Sequence, residues 1–370
     1  MKVCFVVSQL FAWGKYGGFG SLTRTLGREM VERGVQVSAV VPGRSGQRSV
    51  EYLDGIEVLS FPQWSLGLFE RRLYRECDAD IYHSEEPTLG TWAARKAMPD
   101  RRHLVTFQDP RDREGWLIEF LHAESARRKL YYPVLRFYER NRLVDRAVRS
   151  ADSTYCQART LCTKAQKIFN LSTTPGFLPN PVIVPAEPVD KASKPTVCFL
   201  GRFDPVKKPE VFFELAREFP KVRFVAIGTA ENPRRDRELR EKYAGIPNLQ
   251  LTGFIDQFVS GGVYDLLGQS WIVINTSAKE ALPVSFLEAA ACRCAIISPH
   301  DADGFATKFG RHVQNADFAG ALESLLSNDE WRSRGQAAYE YVKQTHEVGA
   351  VVDRHLVEYQ AVLAGARTRS

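Results

Sequence analysis

VCFVVSQLFAWGKYGGFGSLTRTLGREMVERGVQVSAVV, residues 3–41, carries a strand, a glycine-rich loop, a helix and a second strand in that order. VCFVVSQ at 3–9 is a continuous apolar run, the pattern of a strand buried on both faces. The loop after it holds Gly14, Gly17, Gly18 and Gly20. Ser21 and Thr23 are then read as opening a helix whose Leu22, Leu26 and Met30 recur every four residues, one apolar face. Gly34 ends it, and VQVSAVV at 35–41 is the next strand. Two such strands bridged by a helix form a βαβ unit, which implies a parallel sheet.

The same alternation continues outward. Strands are expected at 56–61, 79–83 and 103–107, with helical stretches between them. PNPVIVPAEPVDKASKP, residues 179–195, is rich in proline and reads as a linker. A second round follows it: TVCFLG at 196–201, VRFVAIG at 222–228, LQLTGF at 249–254, WIVINTS at 271–277 and CAIISP at 294–299. Helices are expected across 209–219, 234–244, 283–293, 329–346 and 348–365. The chain of 370 residues suits two domains of roughly 100–200 residues each. The expected fold is α/β, with two doubly wound Rossmann-like domains at 1–185 and 186–346. A C-terminal helix within 347–370 is expected to pack back over the domain junction.

Composition narrows the functional classes. The hydrophobic share of 44% and charged share of 25% are those of a globular protein. No run of about 18 apolar residues is present, so no membrane span is expected. Seven scattered cysteines give no zinc-like double pair, and a reducing, cytoplasmic location is the expectation. The net charge of +6 is uneven: residues 1–185 hold 27 Lys and Arg against 20 Asp and Glu, the remainder 23 against 24. Such a basic half favours phosphorylated substrates or anionic lipid; no nucleic-acid-binding module accompanies it, and nucleic acid is not an expected partner.

Three stretches carry chemistry. Glycines between a first strand and a helix let backbone N–H groups approach a phosphate at a helix N-terminus, although Gly17-Gly18-Phe19-Gly20 matches neither a dinucleotide fingerprint nor a P-loop. Gly201-Arg202 at a strand end and Lys207 a short loop later place two cations where a doubly wound sheet binds ligands. Such a pair suits a diphosphate. In Asn275–Ala291 a loop carboxylate, Glu280, precedes a helical one, Glu288. A helix starting near Pro283 would offer backbone groups of Ala281, Leu282, Pro283 and Val284 to an anion. Even in one continuous helix the two carboxylates would stand about 12 Å apart along the axis. That suits one on a sugar and one on a ribose better than a pair around one bond.

In this order the constellation resembles the retaining glycosyltransferases of family 4, with the GT-B fold, two Rossmann-like domains facing each other across a cleft. Glu280 and Glu288 resemble that family's E-x(7)-E signature, and Leu178-Pro179-Asn180-Pro181-Val182 its segment before the linker. The resemblance implies an acceptor-side first domain and a second domain that binds a nucleotide-diphosphate sugar, of UDP or GDP type, as donor substrate. It implies that Arg202 and Lys207 neutralise the leaving diphosphate without a metal ion or other cofactor. Glu280 and the amides after it would hold sugar and phosphate, Glu288 the ribose, and the backbone of Ile255 the base. Gly17 and Gly18 would form the glycine loop toward the diphosphate. The implied acceptor is a sugar, a lipid-linked glycan or a small molecule.

The sequence also departs from the family. Gln108, beside Asp109, stands where many relatives have a histidine that touches the donor sugar. His83 matches a strand-end histidine often seen there, but Glu85 and Glu86 differ from the usual His-Asp. Gln108, Asp109 and His83 are therefore candidates for sugar or acceptor contacts, with a structural role the alternative for His83. An epimerase of the same fold, or a non-catalytic nucleotide-sugar-binding relative, are the competing readings. The segment 111–149, with ten Arg and Lys against six Asp and Glu, is read as a solvated face with Trp116, Phe120 and Tyr132 buried beneath it. Peripheral contact with an anionic membrane, or an acidic acceptor site, are its functional alternatives.

Overall fold

A computed structural model describes residues 1–187, 190–327 and 329–365. Pro188 and Val189 of the proline-rich connection, Asn328, the Ala126 and Arg127 side chains and residues 366–370 of the C-terminal segment lie outside the described residues. The chain divides into two compact units. The first comprises Met1–Asp112, Lys129–Pro181 and the chain from Val348 onward; the second comprises Arg113–Arg128 and Val182–Glu347.

The first unit opens with β1 (Lys2–Val6), α1 (Gly18–Glu32), β2 (Gln36–Pro42), β3 (Val50–Leu53) and β4 (Ile56–Phe61). It continues through α2 (Arg71–Cys77), β5 (Ile81–Ser84), α3 (Leu89–Ala97) and β6 (Arg102–Phe107). Helix α4 (Arg113–Leu121) belongs to the second unit and α5 (Ala126–Glu139) to the first only from Lys129 on; α6 (Arg142–Arg149), β7 (Ser153–Cys156), α7 (Arg159–Phe169) and β8 (Gly176–Phe177) complete the first unit until the chain returns to it at Val348. The sheet order is β3-β4-β2-β1-β5-β6-β7-β8, parallel except for the β3–β4 hairpin. Strand order reverses at β1, which pairs with β2 on one side and β5 on the other. Continuous apolar strands buried on both faces account for this parallel architecture.

Helix α1 opens at Gly18, not at Ser21 or Thr23. Gly17 is its extended N-cap, and the Gly17 carbonyl accepts from the Ser21 N–H at 3.0 Å, so the glycine run already forms the first turn. Gly20 is required there: a Cβ would stand 2.5 Å from the Phe11 backbone nitrogen. In the basic segment Trp116 is buried as expected, but Phe120 is exposed and Tyr132 only half-buried.

The second unit runs β9 (Thr196–Leu200), α8 (Pro209–Glu218), β10 (Arg223–Ile227), α9 (Pro233–Tyr243), β11 (Leu249–Gly253) and α10 (Gly262–Gln269). Then come β12 (Ile272–Ile274), α11 (Val284–Ala291), β13 (Ala295–Ser298), α12 (Phe305–Phe309), β14 (Gly310–His312), α13 (Phe318–Ser327) and α14 (Glu330–Thr345). Its sheet is wholly parallel, ordered β11-β10-β9-β12-β13-β14 and reversing at β9. The core beneath it is aromatic, with Phe199, Phe203, Phe212, Phe213, Phe224 and Trp331 buried together. The last helix, α15 (Val348–Leu363), returns to the first unit, where Val348, Val352, Tyr359 and Val362 join the core of β1 and α1.

Candidate active site

Ligands of doubly wound sheets bind outside the carboxyl ends of the strands, where strand order reverses. In the second unit that place lies between the exits of β9 and β12. β9 releases Gly201-Arg202-Phe203-Asp204, and β12 releases Asn275 through Glu280. The two loops are tied together. The Thr276 hydroxyl donates to the carbonyls of Lys207 and Lys208, both at 2.8 Å, and the Ala278 N–H donates to the Val206 carbonyl at 2.7 Å. The β9 exit is approached closely by backbone: a Cβ at Gly228, whose φ is +145°, would stand 1.9 Å from the Gly201 carbonyl oxygen.

Lys207 and Glu280 meet as a direct ion pair. The same Glu280 oxygen accepts from the Ser277 hydroxyl at 2.6 Å and the Asn275 amide at 3.3 Å. Burial works to raise the Glu280 carboxyl, but Lys207, Ser277 and Asn275 together outweigh it and hold the group below its usual range. His300 closes the cluster, its Nε2 bonded to the Ser277 carbonyl at 2.8 Å, with burial holding the ring below the ordinary histidine range. Asn275, Ser277 and His300 were not singled out from sequence. The first two lie inside the quoted loop, and an eye for hydroxyl and amide groups before Glu280 would have found them.

Glu288 is placed differently. It is buried on α11, and among the described residues no hydrogen bond or ion pair engages its carboxyl; burial alone pushes it up to about 7. Helix α11 begins at Val284 with Pro283 as N-cap. Pro283 has no N–H, so of the four residues expected to offer backbone donors it only fixes the cap. Leu282 is buried, whereas Ala281, Val284 and Ile255 are half-buried. Arg202 is half-exposed and held by Asp204 at 2.8 Å and Glu231 at 3.0 Å, and Glu231 also holds Arg128 at 2.7 Å. Lys279, next to Glu280, pairs with Glu119 of α4 at 3.2 Å.

The first unit presents its own cluster at the exits of β5 and β6. His83 is fully buried, with Nδ1 on the Tyr359 hydroxyl at 2.7 Å and Nε2 on the Thr106 hydroxyl at 2.8 Å. Those are the partners of a structural histidine. The Gln108 amide donates to Glu85 at 3.0 Å and to the Asn180 side-chain carbonyl at 3.1 Å, and accepts from Asn180 at 2.9 Å. Gln157 donates to the Gln108 backbone carbonyl at 2.8 Å. Asp109 lies beside Arg111 at 3.3 Å. Gly17 and Gly18 stand at the α1 N-terminus, near the exit of β1.

Two Asp-x-Asp spacings occur. Asp78 and Asp80 both pair with Arg101, at 2.7 and 3.4 Å, and Asp301 accepts from the Thr307 hydroxyl and N–H at 2.6 and 3.0 Å. Among the described residues no group of three or more His, Cys, Asp or Glu side chains could hold a metal ion.

Two family models match consecutive parts of the chain: Glycosyltransferase Family 4 over residues 16–180, and Glycosyl transferases group 1 over residues 185–341. The chain belongs to the group 1 glycosyltransferases. Solved structures agree in fold along its length. A sucrose-phosphate synthase from Thermosynechococcus elongatus is 14% identical with a TM-score of 0.73, covering 99% of this chain and 100% of that one. HepE from Anabaena, in complex with UDP-glucose, is 14% identical with a TM-score of 0.69, covering 99% and 100%. A glycosyltransferase from Rickettsia africae is 15% identical with a TM-score of 0.67, covering 98% of each chain. No curated protein matches the chain in sequence. The fold of this group 1 glycosyltransferase is GT-B, two Rossmann-like α/β units with parallel sheets. No helix among its described residues is long and apolar enough to cross a membrane.

Proposed function

We propose that this glycosyltransferase transfers a sugar, with retention of configuration, from a UDP- or GDP-type nucleotide sugar to an acceptor hydroxyl, without a metal ion. The observation that carries this is the pairing of Lys207 with Glu280 in the loop that leads from β12 into α11, the helix that carries an unpartnered Glu288, at the reversal point of the second unit's sheet. The Glu288 carboxylate accepts from the ribose hydroxyls, and Glu280 accepts from sugar hydroxyls while keeping Lys207 in place. Lys207 and Arg202 neutralise charge that builds on the departing diphosphate, the term that supplies most of the catalysis in such a site. Arg202 exchanges its contacts with Asp204 and Glu231 for phosphate oxygens. The backbone amides that open α11 add positive potential there. The glycosidic C–O bond to the diphosphate breaks through a cation-like sugar, and the acceptor oxygen bonds the same face, passing its proton to the phosphate. HepE with UDP-glucose supports a UDP sugar as the first donor to try.

A transfer or donor-hydrolysis assay with UDP- and GDP-sugars in EDTA tests the reading. Turnover is expected to persist in chelator. Arg202→Ala and Glu288→Ala are each expected to weaken nucleotide binding by about 10- to 100-fold, the worth of hydrogen bonds involving charged groups at roughly 1.5–3 kcal/mol. Activity restored only by magnesium or manganese would overturn the metal-free mechanism. Unchanged nucleotide affinity in both variants would overturn the site.

A further inference from the structure

The basic segment that stands out in the sequence changes unit part-way. Arg113–Arg128 belongs to the second unit, although the chain up to Asp112 and the chain from Lys129 belong to the first. Two ion pairs tie this segment to loops of the candidate site. Glu119 of α4 reaches Lys279, the neighbour of Glu280, at 3.2 Å. Arg128 reaches Glu231, in the loop after β10, at 2.7 Å.

Arg128 and Arg202 meet on one atom. Glu231 Oε2 accepts from Arg128 at 2.7 Å and from Arg202 at 3.0 Å, so two guanidiniums share a single carboxylate oxygen. Buried Asp204 also holds Arg202, at 2.8 Å, and its other oxygen accepts from the Glu231 backbone N–H at 3.2 Å. Glu231 is thus fixed at its main chain and shared at its side chain. Burial works against the charge on Arg128, but Glu231, Glu124 and Asp204 outweigh it and raise the group above the ordinary arginine range. Two of those three carboxylates are the ones that hold Arg202.

An arginine already on carboxylates must let go of them before it can bind phosphate. Two cations on one oxygen weaken each other's hold, by mutual repulsion and by dividing its lone pairs. With Arg128 in place, Glu231 therefore releases Arg202 at a smaller cost. We infer, resting on the phosphate-binding role proposed above for Arg202, that Arg128 is a positioning residue for the donor diphosphate: by holding Glu231 it frees Arg202 for the phosphate oxygens. Arg128 itself stays on Glu231 and touches no part of the ligand.

Calorimetry of the full chain with UDP and with GDP tests this. Arg128→Ala should weaken binding of the nucleotide that wild type takes by about three- to fivefold, the worth of one half-exposed ion pair. Arg128→Lys, which can still pair with Glu231, should restore most of the loss. Glu231→Gln should tighten binding, because the competitor for Arg202 is gone. In the Glu231→Gln background Arg128→Ala should cost less than about twofold, since the pair through which it acts is absent. The cost is paid on binding, so donor KM should rise in Arg128→Ala with kcat kept. The side chains are half-exposed, and each variant should keep the wild-type melting temperature; if Arg128→Ala unfolds, Arg128→Gln takes its place. Unchanged affinity in Arg128→Ala overturns the inference and leaves the role of Arg202 standing. So does an equal loss in both Glu231 backgrounds, which would put Arg128 on the phosphate itself. If Arg202→Ala binds as wild type does, or wild type binds neither nucleotide, the donor-site reading fails and the inference with it.

Discussion

Glu280 and Glu288 are the same residue type in the same motif, and burial acts on both, yet their carboxyls shift in opposite directions. The difference lies in what touches them. Glu280 has an ammonium, a hydroxyl and an amide around it, so the charged form is favoured. Glu288 has none of these, so the proton is held up to about 7. A ligand whose ribose hydroxyls donate to Glu288 must then displace that proton. Nucleotide affinity should tighten as pH rises from 6 toward 8, approaching about tenfold per unit well below 7, with proton release on binding. Calorimetry in buffers of different ionisation enthalpy reads this directly. Glu288→Gln should flatten the profile, and a flat profile in wild type would count against the ribose assignment.

At the scale of elements, much was legible because each strand buries a continuous apolar run and each helix an apolar face. The strand expected at 56–61 is β4 to the residue, and the helices expected across 209–219 and 234–244 are α8 and α9 within one residue. Illegible features depend on partners far along the chain. His83 meets Tyr359 across 276 residues, and no spacing encodes such a pair. Glu231 and His300 reached the candidate site by the same route. The early start of α1 was hidden because glycine is a poor helix former whose use here is contact, not propensity. Gly20→Ala tests that account. Its methyl would collide with the Phe11 backbone at 2.5 Å, so a loss of about 1–3 kcal/mol is expected in urea unfolding, in the range of overpacked sites. Equal or higher stability, as helix propensity alone would give, would refute it.

Over the whole molecule, each unit holds a buried glutamate whose carboxyl burial pushes up to about 7, Glu85 in the first and Glu288 in the second, with Glu85 partly offset by the Gln108 amide. Unfolded, a glutamate loses its proton near 4.5. Between 4.5 and 7 the folded state therefore binds more protons than the unfolded one, and stability falls as pH rises through that window. Below it both states are protonated, and above it the cost is constant. For Glu85, whose second oxygen has no hydrogen-bond partner among the described residues, the shift corresponds to roughly 3 kcal/mol. Glu85→Gln keeps an acceptor for Gln108 and cannot ionise. It should melt above wild type at pH 8, and the two should converge near pH 4.5. Glu288→Gln should behave alike in the second unit, and because the two groups share no partner their effects should add. A nucleotide that engages Glu288 should erase only the second contribution. Thermal melts at both pH values, with and without UDP, separate the two. A gap between Glu85→Gln and wild type that persists unchanged at pH 4.5 would mean that packing, not the buried charge, sets the difference.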